Sequence, residues 1–530
     1  MSNNLFSIVI PTRQRHDTLK YSIQSVLNQT YKEFELIVMD NFSSSETAEV
    51  VSSFGDERIK YYRAPERLSM SDNWEMGLSY ATGKYVTILG DDDGLMPDGL
   101  ELSLKLITEY DVQIVSWSRG TAYWWPNAIV PWHRNKLYVE LSQGAVIYKS
   151  REQIKQFYKN YISYVQLPML YNSFVYREII EKIKSVHGRY FMSPIPDVYS
   201  GVVNAYFSES YLFGLRPISI NGVSGHSTGT SSVYSSLDNK PFNDFLKDAK
   251  KDTSNFLHKS LIPSTNTCMH IADVQLRTKE LFFPEDEELQ FDILNTLKLI
   301  AINLNKDPGS YDNQVQELEQ LAKKHGILIS QINIPEKETN KKTSLQGLLR
   351  HTDESYILAI NGNQAGMSNV AEAAKITQAV LPNLDCITVN CLKKEDAIAL
   401  YNKLNLRETN LIIFPEWNYP EDSLGEDLMR VIKALATHPE RKHITLLVDT
   451  SRVSNEDANL LISGVIINLL MSEKLEVSDE LEISLTGQLN KLEWEYLLSQ
   501  VQGRIVLQHE DKEAIAHLGA ENLPLHALDR

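Results

Sequence analysis

The chain has 530 residues, 42% of them hydrophobic, which is enough for two or three domains of roughly 100–200 residues with proper cores. A formal net charge of -17, with no compensating basic cluster, excludes a broad nucleic-acid-binding face, because backbone phosphates would be repelled. The three cysteines, Cys268, Cys386 and Cys391, stand at spacings that suit neither a metal knuckle nor a disulfide framework.

Residues 1–10 hold one short apolar run without the basic flank or the length of a secretion signal, so the expected location is the cytoplasm. The first hundred residues then alternate in period. Strands are expected at 7–10, 35–39, 59–62 and 85–89, with helices at 17–28 and 46–54 between them. In the first helix Leu19, Ile23, Val26 and Leu27 fall on one face. A βαβα order of this kind predicts a parallel, doubly wound, Rossmann-like α/β sheet, with ligands beyond the carboxyl ends of the strands.

Strand signals thin out after about residue 240, and helical spacing dominates at 286–303 and 314–325. Residues 334–344, rich in Lys, Glu, Asn and Thr, read as a linker. Alternation returns with strands expected at 356–360, 386–389, 411–414, 444–448 and 504–507, which predicts a second C-terminal α/β Rossmann-like domain. The expected organisation is thus 1–235 as a first α/β domain, 236–345 as a helical connector and 346–530 as the second domain. The longest apolar stretch, 460–471, is broken by Ser463, Gly464 and Asn468 and falls short of the ~20 residues of a membrane span, so it reads as a buried helix. No transmembrane segment is expected, which leaves room for peripheral membrane association.

The chemistry concentrates in the first domain. Gly90-Asp91-Asp92-Asp93 follows the strand at 85–89 directly. Three carboxylates at a strand exit repel one another unless a cation or donor groups compensate, and hard oxygen ligands suit Mg²⁺ or Mn²⁺ bridging two phosphates; a solvated acidic turn is the other reading of the same residues. Asp197, in Ser193-Pro-Ile-Pro-Asp-Val-Tyr-Ser200, stands where a helix begins, as a general base or as an N-cap. His226 lies in the Gly- and Ser-rich loop 222–229, either solvated or completing a metal shell. Arg67 is a candidate to neutralise a diphosphate, or a surface arginine. Trp117, Trp124, Trp125 and Trp132 crowd the interval between the aspartates and Asp197, as a platform for sugar faces or as ordinary packing. In the C-terminal half no P-loop or Gly-x-Gly-x-x-Gly spacing follows a strand. The nearest approach, Asn361-Gly-Asn-Gln-Ala-Gly366, is a tight connection or a backbone phosphate cradle.

The ordered set Phe6-Ser-Ile-Val-Ile-Pro-Thr-Arg13, Ser25-Val-Leu-Asn-Gln-Thr-Tyr31, Leu36-Ile-Val-Met-Asp-Asn-Phe-Ser43, Asn73-Trp-Glu-Met-Gly77 and Ala81-Thr-Gly-Lys-Tyr85 before the aspartates resembles the opening of inverting family 2 glycosyltransferases of the GT-A fold. The resemblance covers about residues 5–235. It implies a nucleotide-diphosphate sugar donor, a UDP-sugar first, and a glycan, lipid-linked or protein acceptor in polysaccharide or glycoconjugate synthesis, with Mn²⁺ or Mg²⁺ as cofactor. Carried over by position, Pro11, Thr12, Arg13, Asp40, Asn73 and Asp91 would hold the nucleotide, Asp92, Asp93 and His226 the metal, and Asp197 would be the catalytic base. Two positions depart from the family pattern: Gly90 where a carboxylate usually stands, and Pro196 where a Glu is common. A catalytically silent sugar-nucleotide-binding scaffold is the alternative those departures allow.

Overall fold

β1 (Phe6–Thr12) is buried along its whole length, as is β2 (Phe34–Asp40), and the two run parallel with Thr12 opposite Asp40. Strands covered on both faces read as continuous apolar runs, which is why both are visible in the sequence. Between and after them come α1 (His16–Leu27), α2 (Ser45–Ser52), β3 (Ile59–Arg63), α3 (Met70–Tyr80) and β4 (Tyr85–Ile88). The computed structural model describes residues 5–249, 257–264, 266–338, 346–350, 355–475, 477 and 480–528. Its contacts divide the chain into two units, 1–389 and 390–530.

The first unit continues through β5 (Gly94–Leu95), α4 (Gly99–Tyr110), β6 (Ile114–Trp117), β7 (Ala122–Trp124), β8 (Lys136–Glu140), β9 (Ala145–Lys149), α5 (Ser150–Tyr158), β10 (Ser173–Tyr176), α6 (Arg177–His187), α7 (Pro196–Phe207), β11 (Ser210–Gly214) and β12 (Ser219–Val223). One sheet has the order β3-β2-β1-β4-β10-β6-β11-β9, with β10 antiparallel to both β4 and β6. This is the doubly wound α/β architecture expected of a GT-A domain. α8 (Thr228–Val233) falls within the expected first domain, and the region expected to be helical holds α9 (Lys240–Ala249), α10 (Thr267–Phe282), α11 (Ile293–Asn303) and α12 (Tyr311–Lys324). The linker expected at 334–344 lies partly outside the described residues.

The break expected at 345/346 is not where the contacts divide. β13 (Gly347–Arg350) and β14 (Tyr356–Asn361) join the second sheet of the first unit, in the order β13-β14-β8-β7-β12-β5. β14 pairs with β8 from Ile357 opposite Glu140 to Asn361 opposite Lys136, so the ladder on that edge ties it to the N-terminal half. After the short α13 (Gly362–Ala365), α14 (Val370–Val380) packs Val370, Ala373 and Ala374 on Met96, Tyr123, Trp125 and Ile220. The turn at 361–366 is therefore a packed connection: a Cβ on Gly362 would overlap the side chain of Asn135, whose amide donates to Asn363 Oδ1 at 2.7 Å. The strand expected at 386–389 is also corrected. Leu384–Cys386 is a single 3₁₀ turn, and Val389 makes only an isolated bridge to Ala145.

The second unit carries α15 (Lys394–Lys403), β15 (Thr409–Ile413), α16 (Glu421–Ala436), β16 (Ile444–Val448), α17 (Asn455–Glu473), β17 (Glu482–Leu485), α18 (Lys491–Ser499), β18 (Gly503–Arg504) and α19 (Lys512–Leu518). Among the described residues its four strands are all parallel, in the order β17-β16-β15-β18. The run at 504–507 pairs only through β18, and β17 was not legible. The apolar stretch 460–471 is helical, within α17, but only one of its faces is buried.

Candidate functional site

The carboxyl ends of β1 and β4 bring Thr12 and the loop 90–93 together. Thr12 Oγ1 donates to Asp91 Oδ2 at 2.8 Å, and Arg15, just before α1, places Nη1 2.9 Å from Asp91 Oδ1. Asp92 Oδ2 accepts from the Ser224 hydroxyl at 2.6 Å and from its backbone N–H at 3.3 Å. Asp93 accepts from the backbone N–H of Gly222 at 2.6 Å and of Gly90 at 3.1 Å, and from the Tyr171 hydroxyl. Two glycines make this approach feasible. A Cβ on Gly222 would overlap the Asp92 carbonyl, and one on Gly90 would overlap the Tyr171 hydroxyl and the Asp93 carboxylate. The missing carboxylate at position 90 thus has a steric cause.

All three aspartates are buried, and burial pushes each carboxyl above its ordinary range. Repulsion adds to this, from Asp92 on Asp91 and from Asp93 on Asp92. The compensation is local: Arg15 favours the charged forms of Asp91 and Asp92, and Arg119 that of Asp93. Arg119 lies over the Tyr171 ring at 4.6 Å and donates to Asn221 Oδ1. It also interacts electrostatically with Asp197. That residue occupies the first turn of α7, behind Pro196 and the N-cap Ile195, and its carboxyl is raised by burial against the favourable N–H groups of Val198 and of Asp197 itself. Asp197 is therefore not the cap of the helix.

The other expected residues scatter more. Asp40 is fully buried, and its oxygens accept from the Ser43 N–H at 2.9 Å and the Tyr61 hydroxyl at 2.6 Å, so in this geometry it shapes the turn after β2. Asn73, also buried, holds the Met39 carbonyl at 3.4 Å. Arg13 and Arg67 both bind Asp248 Oδ2 in α9, at 2.7 and 2.6 Å. His226 takes part through its main chain, its carbonyl accepting from Arg15 at 2.5 Å and its N–H donating to Ser224 Oγ at 3.3 Å. Among the described residues no three His, Cys, Asp or Glu side chains gather closely enough to cage an ion, so Asp92, Asp93 and His226 do not form the expected trio. Asp93 is committed to its three donors. Asp92, with Ser224 on one oxygen only, fits an ion shared with phosphate oxygens, the arrangement Mg²⁺ commonly takes.

Trp117 and Trp125 are buried and bond Ser219 Oγ and the Asp92 carbonyl, which makes them packing elements. Trp124 stacks on His133 at 4.5 Å, and Trp132 meets Tyr234 edge-on, so these two form a partly exposed aromatic group. Sequence reasoning passed over Arg15, Arg119, Tyr171 and Ser224. Arg15 had a signal, a cation three residues past the Pro11-Thr12 turn. The other three reach the site from distant segments; Ser224 lay in the Ser-rich loop around His226, and Arg119 and Tyr171 carried no signal.

The parallel strands, the acidic loop at a strand exit and the flanking arginines form one polar cluster at the carboxyl ends of β1 and β4. The family model described as glycosyl transferase family 2 matches residues 7–179 of this chain. A Campylobacter jejuni protein named GalNAc(5)-diNAcBac-PP-undecaprenol beta-1,3-glucosyltransferase is 36% identical over 106 residues, 19% of this chain and 34% of its own. An Escherichia coli UDP-Glc:alpha-D-GlcNAc-diphosphoundecaprenol beta-1,3-glucosyltransferase, WfgD, is 31% identical over 115 residues, 22% of this chain and 46% of its own. The chain thus spans between a third and a half of the length of these two relatives. The crystal structure of S. aureus TarS 1-349 aligns with a TM-score of 0.33 and 12% identity, over 62% of this chain and 88% of that one.

Proposed function

We propose that the first unit moves a hexosyl-type sugar from a nucleotide-diphosphate sugar, a UDP-sugar first, to an acceptor hydroxyl with inversion at the anomeric carbon. The observation that carries this reading is the convergence of Asp93 and Asp197 on Arg119, beside the cluster of Asp91 and Asp92 with Arg15. Asp197 is assigned the base: its carboxylate takes the acceptor hydroxyl's proton as that oxygen attacks. Asp91, held by Thr12 and Arg15, would accept a hydroxyl of the ribose. Mn²⁺ or Mg²⁺, when bound by Asp92 and the donor's phosphates, would supply positive charge to the leaving diphosphate. Arg15 and Arg119 favour the charged forms of the acidic loop against the burial that opposes them.

For the acceptor, a lipid-linked glycan is favoured, since both relatives are named for undecaprenol-diphosphate acceptors. Among the described residues no helix is long and apolar enough to cross a membrane. Work at a cytoplasmic membrane face, by peripheral association, is the setting that goes with both points. The test is calorimetry and transfer assay with a panel of sugar nucleotides, with and without Mn²⁺. Asp92→Ala is expected to lose both donor binding and transfer, and Asp197→Asn to bind donor within about twofold of wild type while losing ~10²-fold or more in transfer. Donor binding without transfer in the wild type, across lipid-linked and soluble acceptors, would instead support the silent scaffold.

A further inference from the structure

Helix α17 of the second unit is apolar on two opposite faces. Ala458, Ile462, Val465 and Leu469 are buried, the last three in the core built around α16 and β16. At 3.6 residues per turn, Leu460, Ile467 and Met471 fall on the other side, and they are 76%, 60% and 79% exposed. A helix that is hydrophobic all round normally lies buried, and among the described residues nothing covers this face. The helix is also well anchored: Ser454 caps it, and the Lys433–Glu473 ion pair ties it to α16.

The exposed face has a sequence of its own. Asp457, Leu460, Gly464, Ile467 and Met471 are spaced alternately three and four residues apart along α17, the seam of a helix pair packed at a shallow angle, and Lys474, the left-handed C-cap that ends the helix, follows three residues on. Reversed, the row complements itself. About a two-fold axis between residues 465 and 466, Asp457 of one helix meets Lys474 of an antiparallel copy, Leu460 meets Met471, and Gly464 meets Ile467. The charges are opposite at both ends, so each dimer would gain the pair twice. At the centre a large side chain faces a gap: among the described residues nothing lies within 4 Å of where a Cβ on Gly464 would stand. A partner with an unrelated sequence would not be expected to match this palindrome of charge and size.

We propose that α17 is the interface for a second copy of this chain, forming an antiparallel, isologous helix pair with Asp457–Lys474, Leu460–Met471 and Gly464–Ile467 layers. The proposal is independent of the reaction assigned to the first unit. Sedimentation of the full chain across the micromolar range tests it, with far-UV circular dichroism and melting to confirm that each variant folds. Dimer is expected in the wild type, and Ile467→Asp should weaken it by at least about tenfold, because a charge would enter an apolar layer. Asp457→Lys and Lys474→Asp should each weaken the dimer by roughly threefold to tenfold, and the two together should restore it, since the swapped charges again oppose. A chain that stays monomeric throughout, a dimer indifferent to Ile467→Asp, or charge reversals that add rather than cancel would overturn it. So would a monomer that co-sediments with anionic phospholipid vesicles through this face, lost with Ile467→Asp.

Discussion

Asp197 is held in a position that works against its charge. Burial raises its carboxyl, and the nearby Arg119 and two backbone N–H groups only partly offset this. A folded-state value above the unfolded one means that the group's contribution to stability is full below the ordinary carboxylate range. That contribution is lost as pH rises through the folded value. Asp197→Asn should therefore melt higher than wild type at pH 7–8 and lose this advantage near pH 4, read by thermal denaturation across pH. The transfer rate of the wild type should fall on acidification at a pH above that of an ordinary Asp, as the base becomes protonated. A variant more stable at neutral pH yet inactive separates a functional carboxylate from a structural one.

Gly90 makes a second case at the same scale. Gly90→Ala should cost about 1–3 kcal/mol by chemical denaturation, because its Cβ would drive into the Tyr171 hydroxyl and the Asp93 carboxylate. Removing that hydroxyl makes room. Tyr171→Phe with Gly90→Ala should then be more stable than the sum of the single changes, a coupling that a double-mutant cycle measures. Additive effects would mean the two residues do not share the space.

Among the elements, the turn between β11 and β12 is tied to the start of α4 by a buried ion pair, Arg216 Nη2 to Asp98 Oδ2 at 2.8 Å, with Arg216 Nη1 also on the Pro382 carbonyl. Asp98 follows the acidic loop closely, so this pair fixes where the loop leaves the sheet. Arg216→Ala should destabilise the first unit by ~3–5 kcal/mol in denaturant, because a buried carboxylate is left unpaired. What the sequence reveals about such elements follows from burial. β1, β2 and β4 are legible because both of their faces are covered, and the motif around Gly83 because its neighbours are forced: the backbone N–H groups of Thr82 and Gly83 bond the buried Glu35 carboxylate at 2.5 and 3.1 Å, and a Cβ on Gly83 would strike the Ser7 backbone. The site is legible where one segment holds its chemistry, as in Asp91 to Asp93. It is illegible where a side chain comes from far along the chain, as Arg119, Tyr171 and Ser224 do. Asp40, at the end of β2, and Asn73, in α3, hold backbone groups here, since polar residues serve the backbone as readily as a ligand.

At the scale of the whole molecule, the boundary at 345/346 rested on a change of composition, whereas the contacts put it after residue 389. The difference has an energetic content. Removing residues 346–389 would strip β14 from β8 and expose the surface that Met367, Val370 and Leu381 cover, all three buried in one core with Tyr123, Leu137 and Val139. At about 1.5–3 kcal/mol for each large apolar side chain, the loss is on the order of 5 kcal/mol or more, comparable to the ~5–15 kcal/mol of a typical domain. Residues 390–530 hold their own parallel sheet and their own cores, around Leu446 on one side and Trp494 on the other. A chain ending at residue 389 should therefore fold cooperatively and bind a donor nucleotide as the full chain does. One ending at residue 345 should melt at least about 5 °C lower or fail to fold, given several kcal/mol lost from a unit of this size. Equal stability of the two truncations would place the division where the composition changes and would make β14 an accessory strand.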